Sequence, residues 1–144
     1  MATKKGTGLL MVWADIPADK EDDFKRWYNE EHMAERLAVP GFLDAARYEA
    51  VKNGPKHLAC YELESPAVLE SPAYKRVQAN PTPWTKRCSP DVIGTTFIRN
   101  VYTMIHPKAL APDAALRGMA PSLQIGRMDV PPEIDADFNA WYNT

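Results

Sequence analysis

His32 and Glu31, adjacent in the stretch Trp27-Tyr28-Asn29-Glu30-Glu31-His32, are the side chains of this sequence best suited to moving protons. A histidine titrates near neutral pH and serves as general acid or base. A carboxylate turned toward a core has its pKa raised by desolvation unless it is paired, which suits the same work. Each also has a purely structural reading: His32 as a half-exposed helix-edge residue bonded to a loop carbonyl, Glu31 as half of an ion pair with Arg47 or another base. Arg47 and Arg99 fall in expected strands, where a charge is costly unless it is paired or faces a cavity. Either would suit an anionic substrate group. Trp13, Tyr28, Tyr48, Tyr61, Trp84 and Tyr102 supply the aromatic surface and polar tips that line small-molecule pockets, although most such residues are core. His57 and His106 lie at expected strand ends and read as surface residues. The three histidines give no metal-ligand spacing, and there is no glycine-rich phosphate loop, nucleophile elbow or zinc motif.

These residues need elements to hold them. Residues 8–16, GLLMVWADI, read as a strand buried on both faces and closed by Pro17. Asp19 is placed as the N-cap of a helix over about 19–38, with Asp22 and Asp23 at the positive end of its dipole. At about 100° per residue, Phe24, Trp27, Tyr28, Ala34 and Ala38 share one face, Glu31 lies near its centre and His32 at its edge, while Lys25, Asn29, Met33 and Arg36 turn away. Pro40 and Gly41 end the helix. Residues 42–51 and 57–63 form a hairpin about Asn53-Gly54-Pro55. A second helix opens at Ser65-Pro66, with an interruption at Ser71-Pro72, and is followed by a proline-rich loop over 80–91 and a last strand over 92–105.

The order β-α-β-β-α-β predicts an α+β, ferredoxin-like unit over residues 7–106, a four-stranded antiparallel sheet with both helices on one face. Its uncovered face needs burial by something else. An alanine- and proline-rich linker follows over 107–121. After it the chain repeats itself: Asp129, Pro131, Asp137, Phe138, Trp141, Tyr142 and Asn143 match Asp15, Pro17, Asp23, Phe24, Trp27, Tyr28 and Asn29 at one constant offset. Residues 122–144 therefore read as the first strand and part of the helix of a second, incomplete repeat. The expectation is a fragment of a longer tandem protein, or a segment that completes another subunit.

The strand ending Asp15-Ile16-Pro17, the series from Trp27 to His32, the exit Val39-Pro40-Gly41-Phe42 and Arg47-Tyr48 together resemble the dimeric α/β-barrel superfamily, in particular its EthD-like and antibiotic-biosynthesis-monooxygenase-like members. The resemblance implies two ferredoxin-like units packed sheet to sheet around a cavity, from a homodimer or from pairing with the second repeat. It places the Glu31-His32 pair beside that cavity. Haem-binding members exist in the wider superfamily, but no residue here is singled out as a proximal ligand, so no cofactor is expected.

The 17 basic and 19 acidic side chains are interspersed, which leaves no footprint for nucleic acid or an anionic membrane. Cys60 and Cys88 read as free thiols in a reducing cytoplasm. No apolar run approaches the roughly 20 residues that span a bilayer. The functional expectation is a cofactor-independent enzyme that transfers a proton, with isomerisation, cyclisation or elimination, on a small apolar, aromatic or polyketide-like substrate. His32 would be the acid/base, Glu31 its partner, and Trp13, Tyr28, Arg47, Tyr61, Trp84 and Tyr102 the binding surface. The rivals are a cofactor-free monooxygenase and a ligand-binding or stress-associated barrel without turnover.

Overall fold

A computed structural model describes residues 6–108 and 118–144. Strand β1 (Gly8–Asp15) is followed by α1 (Ala18–Trp27), a π turn (Tyr28–His32), α2 (Met33–Leu37), and the hairpin of β2 (Phe42–Glu49) and β3 (His57–Leu63). A 3₁₀ turn (Pro66–Glu70), α3 (Pro72–Ala79), α4 (Pro83–Cys88), α5 (Pro90–Ile93) and β4 (Thr96–Thr103) complete the unit. The sheet is antiparallel in the order β2-β3-β1-β4, which makes the fold ferredoxin-like α+β as expected.

The apolar run of β1 takes a central place with both faces covered. Leu10 joins Phe24, Trp27, Tyr28, Phe42, Tyr61, Leu63 and Tyr74 in the main core under the helices. Met11 and Trp13 point the other way and pack with Leu58 and Cys60 on the open face. Gly41 closes the helix-to-β2 turn at φ +94, beside Val68, where a side chain would meet both a strained backbone and the Val68 methyls.

Several local expectations change. The cap of α1 is Pro17, with no side-chain cap bond, and Asp19 lies inside the first turn, because the fixed φ of proline already starts the helix. The helix over 19–38 is not continuous α. Its π turn adds one residue to the turn, so everything after it is displaced by one position relative to a regular helix. Val39, Met33 and Arg36 therefore turn inward, and Ala34 and Ala38 are exposed. The loop over 80–91 is instead two short helices, each with proline at its start, and the Thr82 hydroxyl accepts from the Thr85 amide to cap α4. Strand β2 ends at Glu49 rather than 51, and β4 starts at Thr96, since 92 and 93 belong to α5 and Gly94 ends it.

Residues 122–130 form no strand. Their counterpart β1 is paired on both sides, whereas this copy has no neighbouring strand among the described residues. The strap over 118–127 lies instead across the open sheet face. There the Tyr48 hydroxyl donates to the Ala120 carbonyl at 2.6 Å, the Met119 amide donates to Asp44 Oδ2 at 2.9 Å, and the Arg127 guanidinium sits 4.7 Å from the centre of the Trp13 ring. The repeated helix does form, as α6 (Asp135–Tyr142) after a 3₁₀ turn (Pro132–Ile134). Trp141 and Tyr142 are 70% and 60% exposed on it, so this copy of the aromatic face has no core of its own. Within the linker over 107–121, residues 109–117 lie outside the described residues. Among the described residues no helix is long and apolar enough to cross a membrane.

Candidate functional site

The helix-side core is open to a cavity of about 410 Å³ between α2, α3, α4, α5 and the sheet. Its wall combines apolar surface from Leu10, Val12 and Phe97 with the polar ends of Tyr28, Tyr61, His32, Arg36 and Arg99.

His32 reaches this cavity because of the π turn. In a regular helix Glu31 would face the core, and the extra residue gives that place to His32. The imidazole is 8% exposed and packs 4.3 Å from the Trp27 ring and 4.9 Å from Tyr28. Trp27 is itself fixed, fully buried, by an indole N–H that donates to Thr85 Oγ1 at 3.1 Å. Burial, reinforced by the Arg36 guanidinium, pushes the His32 pKa down to about 3, so the ring is neutral at physiological pH. Its Nδ1 is buried without a hydrogen-bond partner among the described residues.

Tyr28 and Tyr61 meet at the cavity floor, where the Tyr61 hydroxyl donates to the Tyr28 hydroxyl at 2.9 Å. Burial raises both phenols, that of Tyr28 to about 12, and keeps them protonated. Arg99 donates to the Tyr74 hydroxyl at 3.2 Å, and Arg36 lies over the Tyr74 ring. Two guanidinium groups thus border an apolar space beside a neutral imidazole and a pair of protonated phenols. Such a set can take up a proton on nitrogen while stabilising an anion nearby.

The expected site residues divide among different places. His32, Tyr28 and Tyr61 line the helix-side cavity. Glu31 does not; it borders a shallow neighbouring depression with Glu35, Arg76 and Asn80. Arg47 lies over the Phe24 and Tyr28 rings and donates to Asn29 Oδ1 at 2.8 Å, outside the cavity. Trp84 donates its indole N–H to Asp23 at 3.0 Å and is flanked by Arg26 and Arg87. Trp13 and Tyr102 stand on the opposite sheet face. His57, expected at the surface, is buried and held by Glu21 at 2.8 Å; His106 is exposed. Among the described residues no cluster suited to a metal ion occurs.

Arg36 and Tyr74 were not legible as site residues. Regular helical periodicity turns Arg36 away from the core, and nothing in Tyr-Asn-Glu-Glu-His announces a π turn. Arg99 carried a signal, a charge in a strand, and the structure satisfies it at the cavity.

No protein-family model matches the chain, and no curated protein matches it. Solved structures do. A variant of MhuD, a haem degrader of Mycobacterium tuberculosis, crystallised with two manganese protoporphyrin IX molecules per active site, is 13% identical over 68% of this chain and 94% of that chain, with a TM-score of 0.50. A candidate antibiotic biosynthesis monooxygenase from Nitrosomonas europaea is 17% identical over 69% of this chain and 99% of that chain, with a TM-score of 0.45. At these identities the likeness is one of fold, the ferredoxin-like α+β arrangement of the sheet and helices described above.

Proposed function

We propose that the chain is the ferredoxin-like unit of an enzyme, EthD-like or antibiotic-biosynthesis-monooxygenase-like, that removes a proton from a small, largely apolar aromatic or polyketide-like substrate and works without a resident cofactor. The observation that carries this reading is the neutral His32 imidazole in one cavity with Arg36, Arg99 and the Tyr28–Tyr61 hydroxyl pair.

His32 is the base. Alone in its apolar niche it resists protonation, but an enolate or phenolate formed beside it would raise its pKa, because an opposite charge favours the imidazolium. The proton passes from an acidic C–H or O–H of the substrate to the imidazole. The negative charge left on the substrate is met by Arg36 or Arg99 and by the Tyr28 hydroxyl hydrogen, which the donation from Tyr61 leaves available. Return of the proton to another atom completes an isomerisation, cyclisation or elimination. Glu31 has no part in this step, since it does not border the cavity.

Of the three histidines, only His32 borders the cavity, and the proposal assigns it to proton transfer; His57 is engaged by Glu21 and His106 lies outside the cavity. Pairing of two units into a barrel, by homodimerisation or with a second repeat, is part of the proposal and would enclose the strap over 118–127 between the two sheets.

Exchange of acidic C–H hydrogen for solvent deuterium, followed by NMR over a set of phenols and 1,3-dicarbonyl compounds, tests the reading. His32→Gln should lower the exchange rate about a hundredfold or more, and Glu31→Gln should leave it nearly unchanged. Undiminished exchange in His32→Gln would overturn the assignment. Oxygen consumption that accompanies substrate loss would assign the same anion to cofactor-free monooxygenation.

A further inference from the structure

The open sheet face and the strap over 118–127 enclose a second cavity, of about 550 Å³, on the side of the sheet away from His32. Its floor is Leu9, Met11, Cys60 and Tyr102, and its roof is formed by Met119, Leu123 and Ile125. The strap is tethered near the β2 edge by Tyr48 and Asp44 and again at Trp13 by Arg127, so it is held at both ends of the span that roofs the cavity.

Three features point to a ligand. The volume lies in the range of small-molecule sites, about 300–1,000 Å³. Tyr102, Leu123 and Ile125 are 37%, 43% and 38% exposed although they face the cavity, so apolar surface remains there that the chain itself does not bury. Among the described residues of the lining no lysine, arginine or histidine occurs, and Glu62 contributes a carboxylate. Among these described residues a carboxylate or phosphate headgroup would find no countercharge, and would lose its hydration without compensation from them. Methionines 11, 104 and 119 give the wall an adaptable surface that follows a flexible ligand.

We propose that the space between strap and sheet is a binding site for an uncharged, flexible apolar small molecule of alkyl or terpenoid type, separate from the helix-side cavity. The sheet supplies a rigid floor and the chain's own strap supplies the lid. The site does not depend on the chemistry assigned to His32.

The neutral fluorophore N-phenyl-1-naphthylamine is the probe, titrated into the whole chain with fold checked by circular dichroism. Saturable binding of one molecule per chain is expected. Ile125→Asp, on the half-exposed strap, and Leu9→Trp, which fills the floor, should each weaken it about tenfold or more, while Val77→Trp in the helix-side cavity should leave it unchanged. In the Val77→Trp background, the sulfonated analogue 8-anilino-1-naphthalenesulfonate should bind more weakly than the neutral probe. Absence of saturable binding, or loss in Val77→Trp with retention in Ile125→Asp, would overturn the site. Equal or tighter binding of the sulfonate would overturn its preference for an uncharged ligand.

Discussion

The indole of Trp27 lies 4.3 Å from the imidazole of His32, five residues further along the chain, across a single π turn. In a regular helix, partners on one face are three or four apart. The wider turn brings the fifth residue beneath Trp27 and so decides which member of the Glu31-His32 pair meets the cavity.

Because the π turn is equivalent to one inserted residue, removing one exposed residue from it should restore a regular helix without disturbing either flank. Deletion of Glu30 should keep the fold and lower the melting temperature by no more than a few degrees, since the lost Arg26–Glu30 pair is exposed. Deletion of Lys25, in the regular α1, should instead misalign Phe24 with Trp27 and Tyr28 and abolish cooperative melting. Parallel thermal melts of the two deletions check this; equal damage would refute the insertion account.

Acid should destabilise the protein through His32. Its folded pKa, about 3, lies below the usual 6.5, so the unfolded chain binds more protons and stability rises with pH. The contribution is complete above about pH 6.5 and is lost as pH falls toward 3, a loss of about 3 kcal/mol by pH 4. His57, shifted the same way mainly by burial, adds to the slope. Urea melts from pH 4 to 8 should show the slope shrink in His32→Phe.

The Tyr28–Tyr61 hydroxyl bond permits a double-mutant test. Tyr28→Phe leaves the buried Tyr61 hydroxyl without its acceptor, which should cost about 1–3 kcal/mol. Adding Tyr61→Phe removes the stranded group and should recover most of that loss. Denaturant unfolding of the single and double variants measures the coupling.

Asp23 gathers Trp84, Arg87 and Cys88 by hydrogen bonds at 3.0, 2.8 and 3.2 Å, which join α1 to α4. Burial first, and then the Asp23 carboxylate, push the Cys88 thiol up to about 11. Asp23→Asn removes the second cause, so Cys88 should ionise more readily and alkylate faster with iodoacetamide at pH 8. Cys60, as buried as Cys88 and pushed up to about 12 but not in contact with Asp23, is the internal control, and its rate should not change.

The four strands of the sheet were legible because their signals are local. The continuous apolar run of GLLMVWAD and the Asn53-Gly54 turn act within a few residues. The helical character of 83–93 was missed because three prolines between 81 and 90 read as a loop, although proline at the first helical position is compatible with a helix. The site was half legible. His32, Tyr28 and Tyr61 stood out by type and converge on one cavity, whereas Arg36 depended on the phase of a helix that the sequence does not mark.

The internal repeat separates what the sequence determines alone from what requires the whole fold. Pro17 and Pro131 adopt nearly the same backbone, φ −54 at both, and each starts a helix, because the proline ring and the bonds of the first turn suffice. Phe138 lies 6.1 Å from Trp141 and 5.5 Å from Tyr142, close to the 6.0 and 5.3 Å of Phe24 with Trp27 and Tyr28, since helical spacing fixes both sets. Yet residues 8–15 are a central strand, while their repeat over 122–129 is a strap across a sheet face, and the second aromatic cluster is exposed. A strand is completed by hydrogen bonds to distant neighbours, and an aromatic face by the core it enters. The same long-range packing chose His32 over Glu31 at the cavity.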